Sequence, residues 1–141
     1  IRTLGISKQV SAISAISEVR TKLVKIQQEL GKKGGVVMDG RDIGTVVFPE
    51  AEVKLFMVAD NDIRAERRYL ELQNKGENLT WEEVKKSIAR RDYLDMNREI
   101  SPLKKAEDAI EIDNSELSEE QQLNLALEII KEKQKATQLA N

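Results

Sequence analysis

The chain has 141 residues, 40% of them hydrophobic and 34% charged, with a formal net charge of −2; this fits one folded domain, excludes a disordered segment, and gives no general electrostatic pull toward nucleic acid. It holds no cysteine and no histidine, which removes disulfide frameworks, Cys- or His-ligated metal sites, and Ser-His or Cys-His catalysis. No apolar run approaches the roughly 18 residues of a membrane span, the first residues lack the basic-then-apolar pattern of a secretion signal, and a reducing, cytoplasmic setting is expected.

Residues 6 to 30 place Ile6, Val10, Ile13, Ile16, Val19, Leu23, Ile26 and Leu30 at spacings of three and four, the stripe of an amphipathic helix. Serines between Ser14 and Ser17 are a point where it breaks, and the glycines from Gly31 to Gly35 end it. Val36 to Met38 reads as a short buried strand, and Pro49 closes the segment after it. Glu52 to Ala59 is a second strand. Asp60 is a suitable N-cap for a helix from about Asn61 to Lys75, which Gly76 stops. Thr80 and Glu83 form a capping-box pattern for a helix to about Asn97. Ala109 to Asp113 is a third short strand. Ser118 and Glu120-Gln121 open a last helix with Leu123, Leu127 and Ile130 on one face and a frayed end. Strands alternating with helices predict an α/β fold with a parallel sheet. Three strands make a thin sheet for a layer that needs cover on both faces. With a start at Ile1 instead of Met, this leads to the expectation that the chain is one incomplete domain of a longer protein.

With no histidine or cysteine, any chemistry falls to carboxylates, Arg, Lys, hydroxyls or a bound cofactor. The arginines, at positions 2, 20, 41, 64, 67, 68, 90, 91 and 98, all lie before Glu99, while the tail keeps only lysines. Arginine's planar fork suits phosphate and carboxylate, so this segregation points to an anionic ligand or to ordinary surface ion pairs. Three stretches carry it. Asp39-Gly40-Arg41-Asp42 follows the first predicted strand, where open α/β sheets bind ligands; the alternative is a solvated turn. Arg64, Arg67 and Arg68 share one helical face and repel each other unless an anion, or Glu66 and Glu71, neutralises them. Arg91, Asp95 and Arg98 line another face, as a phosphate-and-sugar grip or as an i, i+4 salt-bridge ladder.

Taken together, "IRT" at 1–3, "DGRDIGTVVFP" at 39–49, "ERRYLELQNKGE" at 66–77 and "ARRDYLDMNREISPLKKAEDAIEID" at 89–113 resemble the cytidylate kinases over nearly the whole chain. The resemblance implies a nucleoside-monophosphate kinase fold: a parallel-sheet core wrapped by helices, a monophosphate-binding insert and an arginine-bearing lid. On that pattern residues 1–34 border the insert, 35–59 hold core strands, 60–97 form the lid and flanking helices, and 98–141 a core strand and the C-terminal helix. It implies transfer of a phosphoryl group from ATP, with Mg²⁺, to CMP or dCMP, in a cytoplasmic, monomeric enzyme with no nucleic-acid or membrane partner. Ser11, Arg20 and Asp42 are then expected to recognise cytosine, Arg41 and Arg98 to hold the CMP phosphate, and Arg91 and Asp95 to contact sugar and phosphate, with Asp39 beside them. Arg64, Arg67 and Arg68 fall in the lid, at the ATP phosphates. Arg41, Arg67, Arg68 and Arg98 are the candidate catalytic set, since phosphoryl transfer needs positioning and charge neutralisation above all.

The sequence departs from the family at one point. The phosphate loop G-x-x-x-x-G-K-[ST] that cradles ATP phosphates and helps hold Mg²⁺ has no match: the sole Gly-Lys pair is Gly31-Lys32, and position 26 is Ile26. The expectation is therefore a carboxyl-terminal portion that is inactive alone, its metal ligands upstream. Two other readings stay open: a non-catalytic nucleotide-binding or interaction domain without a phosphate loop, and a kinase for UMP or AMP. Asp42 speaks against UMP, because uracil has a carbonyl where cytosine has an amino group.

Overall fold

The computed structural model describes residues 6, 9, 10, 13, 14 and 16–140. Residues 6, 9, 10, 13 and 14 are helical, and Ile16 leaves the helix with φ −71° and ψ 123° before α1 (Ser17–Gly31) begins. The interruption falls at the serines, as predicted. No residue of α1 is buried; Leu23, Ile26 and Leu30 of its apolar stripe stay exposed, because among the described residues α1 packs mainly on one short turn.

That turn, Ile43–Val47, is π-helical. Phe48 N donates to Ile43 O at 2.7 Å, and the Asp42 carbonyl accepts from Thr45, Val46 and Val47 at 3.3, 2.9 and 3.2 Å. Gln28 of α1 donates from Nε2 to the carbonyls of Val46 and Val47, each at 3.4 Å. Val47 is buried. Gly31 lies against the Phe48 ring so closely that no Cβ would fit. Single π turns are uncommon and recur at functional sites.

Of the two strands predicted between 35 and 59, the later one forms over Leu55–Val58 and the earlier one does not form. Residues 36–38 are not a strand, and Val37 is fully exposed. A strand exists through its ladder, and this segment, entered through the left-handed glycines Gly34 and Gly35, meets no partner among the described residues. The sheet has two strands, β1 (Leu55–Val58) and β2 (Ile110–Asp113), paired in parallel with Leu55 opposite Ile110 and Val58 opposite Asp113. Lys54 Nζ, ion-paired to Asp108 at 2.8 Å, staples the entrance to this pair.

Between the strands run α2 (Asn61–Asn74) and α3 (Trp81–Asn97). Their starts follow from local chemistry. The Asp60 carboxylate accepts from Asp62 N and Ile63 N, while Thr80 and Glu83 close the reciprocal capping box. Gly76, at φ 76°, makes the left-handed turn between them. Ala65 and Leu72 of α2 and Val84 of α3 are fully buried. The last helix, α4 (Glu119–Ala140), runs to Ala140 instead of fraying early. Ser118 Oγ accepts from Gln121 N and the Gln121 side chain accepts from Ser118 N, a second reciprocal cap. Leu123 and Leu127 are exposed on it. Among the described residues no helix is long and apolar enough to cross a membrane.

Candidate functional site

Asp42 enters the π turn with φ −134° and ψ 16°. Three amides converge on its carbonyl, so its backbone is fixed independently of its side chain. The residue is 2% exposed. A buried carboxylate needs charged or hydrogen-bonding partners, and two helices supply them. Arg20, from α1, forms an ion pair with Asp42 Oδ1. Arg98, at the end of α3, brings Nη2 to 3.9 Å from the same oxygen.

The second carboxylate is Asp95, buried in the last turn of α3. Its Oδ2 accepts from Arg41 Nε at 3.1 Å and lies 3.8 Å from Arg91 Nε. Its Oδ1 is 3.6 Å from Arg98 Nη1. The contacts within α3 are loose, and the tightest partner comes from 54 residues away. This is a tertiary cluster, not a helix-surface ladder. Arg98 Nε donates to the carbonyl of Ser101 at 2.5 Å, and Leu103 N donates to the Asp95 carbonyl at 2.8 Å.

Four guanidinium groups thus surround two carboxylates, an excess of two positive charges. The hydrogen bonding is incomplete. Arg20 Nε, Arg91 Nε, Arg98 Nη2 and Asp42 Oδ2 are buried without a hydrogen-bond partner among the described residues. Each unsatisfied buried polar group costs about 1–3 kcal/mol, more when charged. Burial, followed by repulsion from Arg41, pulls the affinity of Arg91 for its proton below the ordinary arginine value. Burial and then Arg20 do the same to Arg98. Unused donors, an unused acceptor and crowded cations are what a ligand with an anionic group and an N–H donor would complete.

Of the eight substrate-binding candidates, six meet here: Arg20, Arg41, Asp42, Arg91, Asp95 and Arg98. Ser11 lies outside the described residues. Asp39 is exposed and joins none of the cluster's ion pairs.

The three arginines expected in a lid are otherwise engaged. Arg64 forms a two-point contact with Asp92 of α3 (2.5 and 3.0 Å), whose hydrogen bond holds the guanidinium proton tighter than usual. Arg67 donates to Asn114 Oδ1, Asn114 O and Ser115 O at 3.2, 2.8 and 3.1 Å. Arg68 bonds Glu71 at 2.5 Å. Lys75 and Arg68 together hold the Glu71 carboxyl down to about 2. Glu71 neutralises this face as one reading of the sequence anticipates. Asp92 does so as well, from the neighbouring helix. Arg68 also lies close enough to Arg91 to add to its crowding.

Asp92, Ser101 and Asn114 are the supporting residues that spacing alone does not single out. Asp92 had a legible signal, an acid opposite a cationic helix face. The left-handed Ser101 had none.

Among the described residues no three acidic side chains converge on a point that would hold a metal ion. Asp42 and Asp95 already face guanidinium groups, so the donor set does not fit Mg²⁺.

The sequence model of the family described as cytidylate kinase matches residues 1–132. The chain belongs to the cytidylate kinase family. It is similar to the cytidylate kinase of Flavobacterium psychrophilum, 55% identical over 130 residues that cover 92% of this chain and 58% of the relative. It is also similar to that of Bacillus pumilus, 58% identical over 118 residues that cover 84% and 52%. The chain spans about half the length of the curated relatives it matches. For a cytidylate kinase family member, the α/β organisation with its parallel strand pair is the expected one.

Proposed function

We propose that the buried cluster is the acceptor half of a (d)CMP kinase: it binds CMP or dCMP and presents the monophosphate to a phosphoryl donor. One observation carries the reading. Asp42 offers an unused acceptor oxygen in the same pocket of charge where Arg91 and Arg98 offer unused donors. Cytosine's exocyclic amino group supplies the missing donor for Asp42, and Arg20 donates to the acceptor edge of the ring. Arg41 and Arg98 hold the phosphate, whose negative charge offsets the excess of positive charge. Arg91 and Asp95 contact sugar and phosphate, and Ser11 completes base recognition.

The chemistry these residues supply is positioning and electrostatics, which dominate phosphoryl transfer. Cations already fixed in a desolvated site need no reorganisation as charge shifts. Arg67 and Arg68 join the transfer when the lid hairpin α2–α3 closes and they exchange Asn114, Ser115 and Glu71 for the donor's phosphates; Arg64 stays as the clamp between the two helices. The 141 residues contain no G-x-x-x-x-G-K-[ST] segment, so the ATP–Mg²⁺ cradle is not theirs to provide. This chain alone then binds CMP without turning it over, as a cytoplasmic monomer.

The test is calorimetric titration of the 141-residue chain with CMP, dCMP, UMP and inorganic phosphate, alongside an assay for CDP from ATP and CMP. Binding of CMP and dCMP with weaker UMP binding, and no CDP, is expected. Equal affinity for UMP and CMP overturns the assignment of Asp42, and detectable CDP overturns the claim of inactivity. A second reading, a nucleotide-binding domain with no catalytic role, draws on the missing phosphate loop and on lid arginines that all have protein partners. CDP formation by the natural full-length protein decides against it.

A further inference from the structure

Resting on the reading of the cluster as a CMP site, we propose that Ser101 is a positioning residue whose left-handed backbone aims its carbonyl at Arg98 Nε and thereby holds Arg98 Nη2 available for the phosphate. Ser101 has φ 52°, and among the described residues it is the non-glycine position with positive φ. Elsewhere the chain makes left-handed turns with glycine, at Gly34, Gly35 and Gly76. A serine here is under strain, and Pro102 adds to it, since a residue before proline is pushed toward extended backbone. Such a conformation persists only where the surroundings over-determine it, and it clusters at working sites.

The surroundings that hold it are residues of the cluster. Leu103 N bonds the Asp95 carbonyl, and Arg98 Nε bonds the Ser101 carbonyl. Ser101 itself is buried. A guanidinium is a rigid plane, so fixing Nε while Nη1 sits 3.6 Å from Asp95 leaves one direction for Nη2. That atom is buried, lacks a hydrogen-bond partner among the described residues, and stops 3.9 Å short of Asp42. Freed at Nε, Arg98 would swing Nη2 onto Asp42 Oδ1, the oxygen Arg20 already holds, which consumes the phosphate donor and leaves Oδ2 open to the base. The strained carbonyl keeps the two apart until CMP arrives.

The experiment compares CMP with cytidine, which lacks the phosphate, by NMR titration of the 141-residue chain. Ser101→Val, whose branched side chain cannot hold positive φ, is expected to lower CMP affinity by about 10-fold or more, the scale of one charge-assisted contact, and cytidine affinity by less than about 2-fold. Ser101→Gly, which reaches that φ without strain, restores the native ratio. In an Arg98→Ala background Ser101→Val adds no further loss. An equal loss for both ligands, or no loss, overturns the proposal. If Ser101→Val does not fold, the Arg98 Nε–H resonance of the native chain, assigned by its disappearance in Arg98→Lys, decides instead. Slow solvent exchange that persists with CMP supports the proposal, and exchange as fast as an exposed arginine's overturns it. If Arg98→Ala leaves CMP affinity unchanged, the CMP reading itself fails and this inference falls with it.

Discussion

Asp42 and Asp95 are both buried carboxylates, but their partners divide the labour. Asp42 keeps one oxygen for Arg20 and, among the described residues, leaves Oδ2 unmatched, whereas Asp95 spends both oxygens on Arg41, Arg91 and Arg98. On the proposed reading, discrimination belongs to Asp42 and scaffolding of the cations to Asp95. Asp42→Ala is expected to weaken CMP binding by about 10- to 100-fold, the range for a charge-assisted hydrogen bond in a desolvated site, and UMP binding much less; parallel titrations of the two nucleotides check it. The residue types that gather in this cluster were legible, since arginines set against isolated aspartates in a chain without histidine leave few options. The pairing was not. Arg20 meets Asp42 across 22 positions and Arg41 meets Asp95 across 54, and no local spacing encodes such distances.

At the scale of elements, what was legible was what is locally determined. Asp60, Thr80 with Glu83, and Gly76 set the ends of α2 and α3 through bonds that span three residues or fewer. The strand expected at 36–38 failed because pairing is non-local, and the π turn at Ile43–Val47 has no sequence signature. Two predictions belong here. Gly31→Ala places a methyl group into the Phe48 ring and should destabilise the α1–turn contact by about 1–3 kcal/mol, the cost of overpacking, read by urea denaturation. Glu71, held at about 2 by Lys75 and Arg68, has a folded-state value below its unfolded one near 4.5. Its contribution is full above about pH 4.5 and is lost as pH falls toward 2. Carbon-detected NMR titration of the Glu71 carboxyl should give that low midpoint. Glu71→Gln should flatten the acid limb of the α2–α3 stability profile.

For the whole molecule, few side chains are buried among the described residues, and two of them are carboxylates. Among the described residues the fully or nearly buried apolar side chains are Val47, Ala65, Leu72, Val84 and Ile112, while the arginine cluster ties α1, the π turn and the end of α3 together. Stability should then depend on the anion that fills the cluster. At 100 times its dissociation constant, CMP is expected to stabilise the chain by about 2.7 kcal/mol. Inorganic phosphate at equal concentration should do less, because it leaves Asp42 Oδ2 unmatched. Thermal denaturation across a concentration series of each ligand checks this, and equal shifts for the two would remove the base from the account.

The π turn also decides what kind of change this region can absorb. Its two defining hydrogen bonds, Val47 N to Asp42 O and Phe48 N to Ile43 O, each span one residue more than an α-helical bond, so the turn is set by how many residues lie between Asp42 and Phe48. Side chains within 43–47 can vary wherever they do not face Gln28 or the interior. Length cannot. Removing one residue would wind the turn into an α-helix, rotate Asp42 by about a quarter of a turn relative to α1, and separate it from Arg20. This segment is therefore open to substitution and closed to insertion or deletion, a ruler whose only graduation is the number of peptide units.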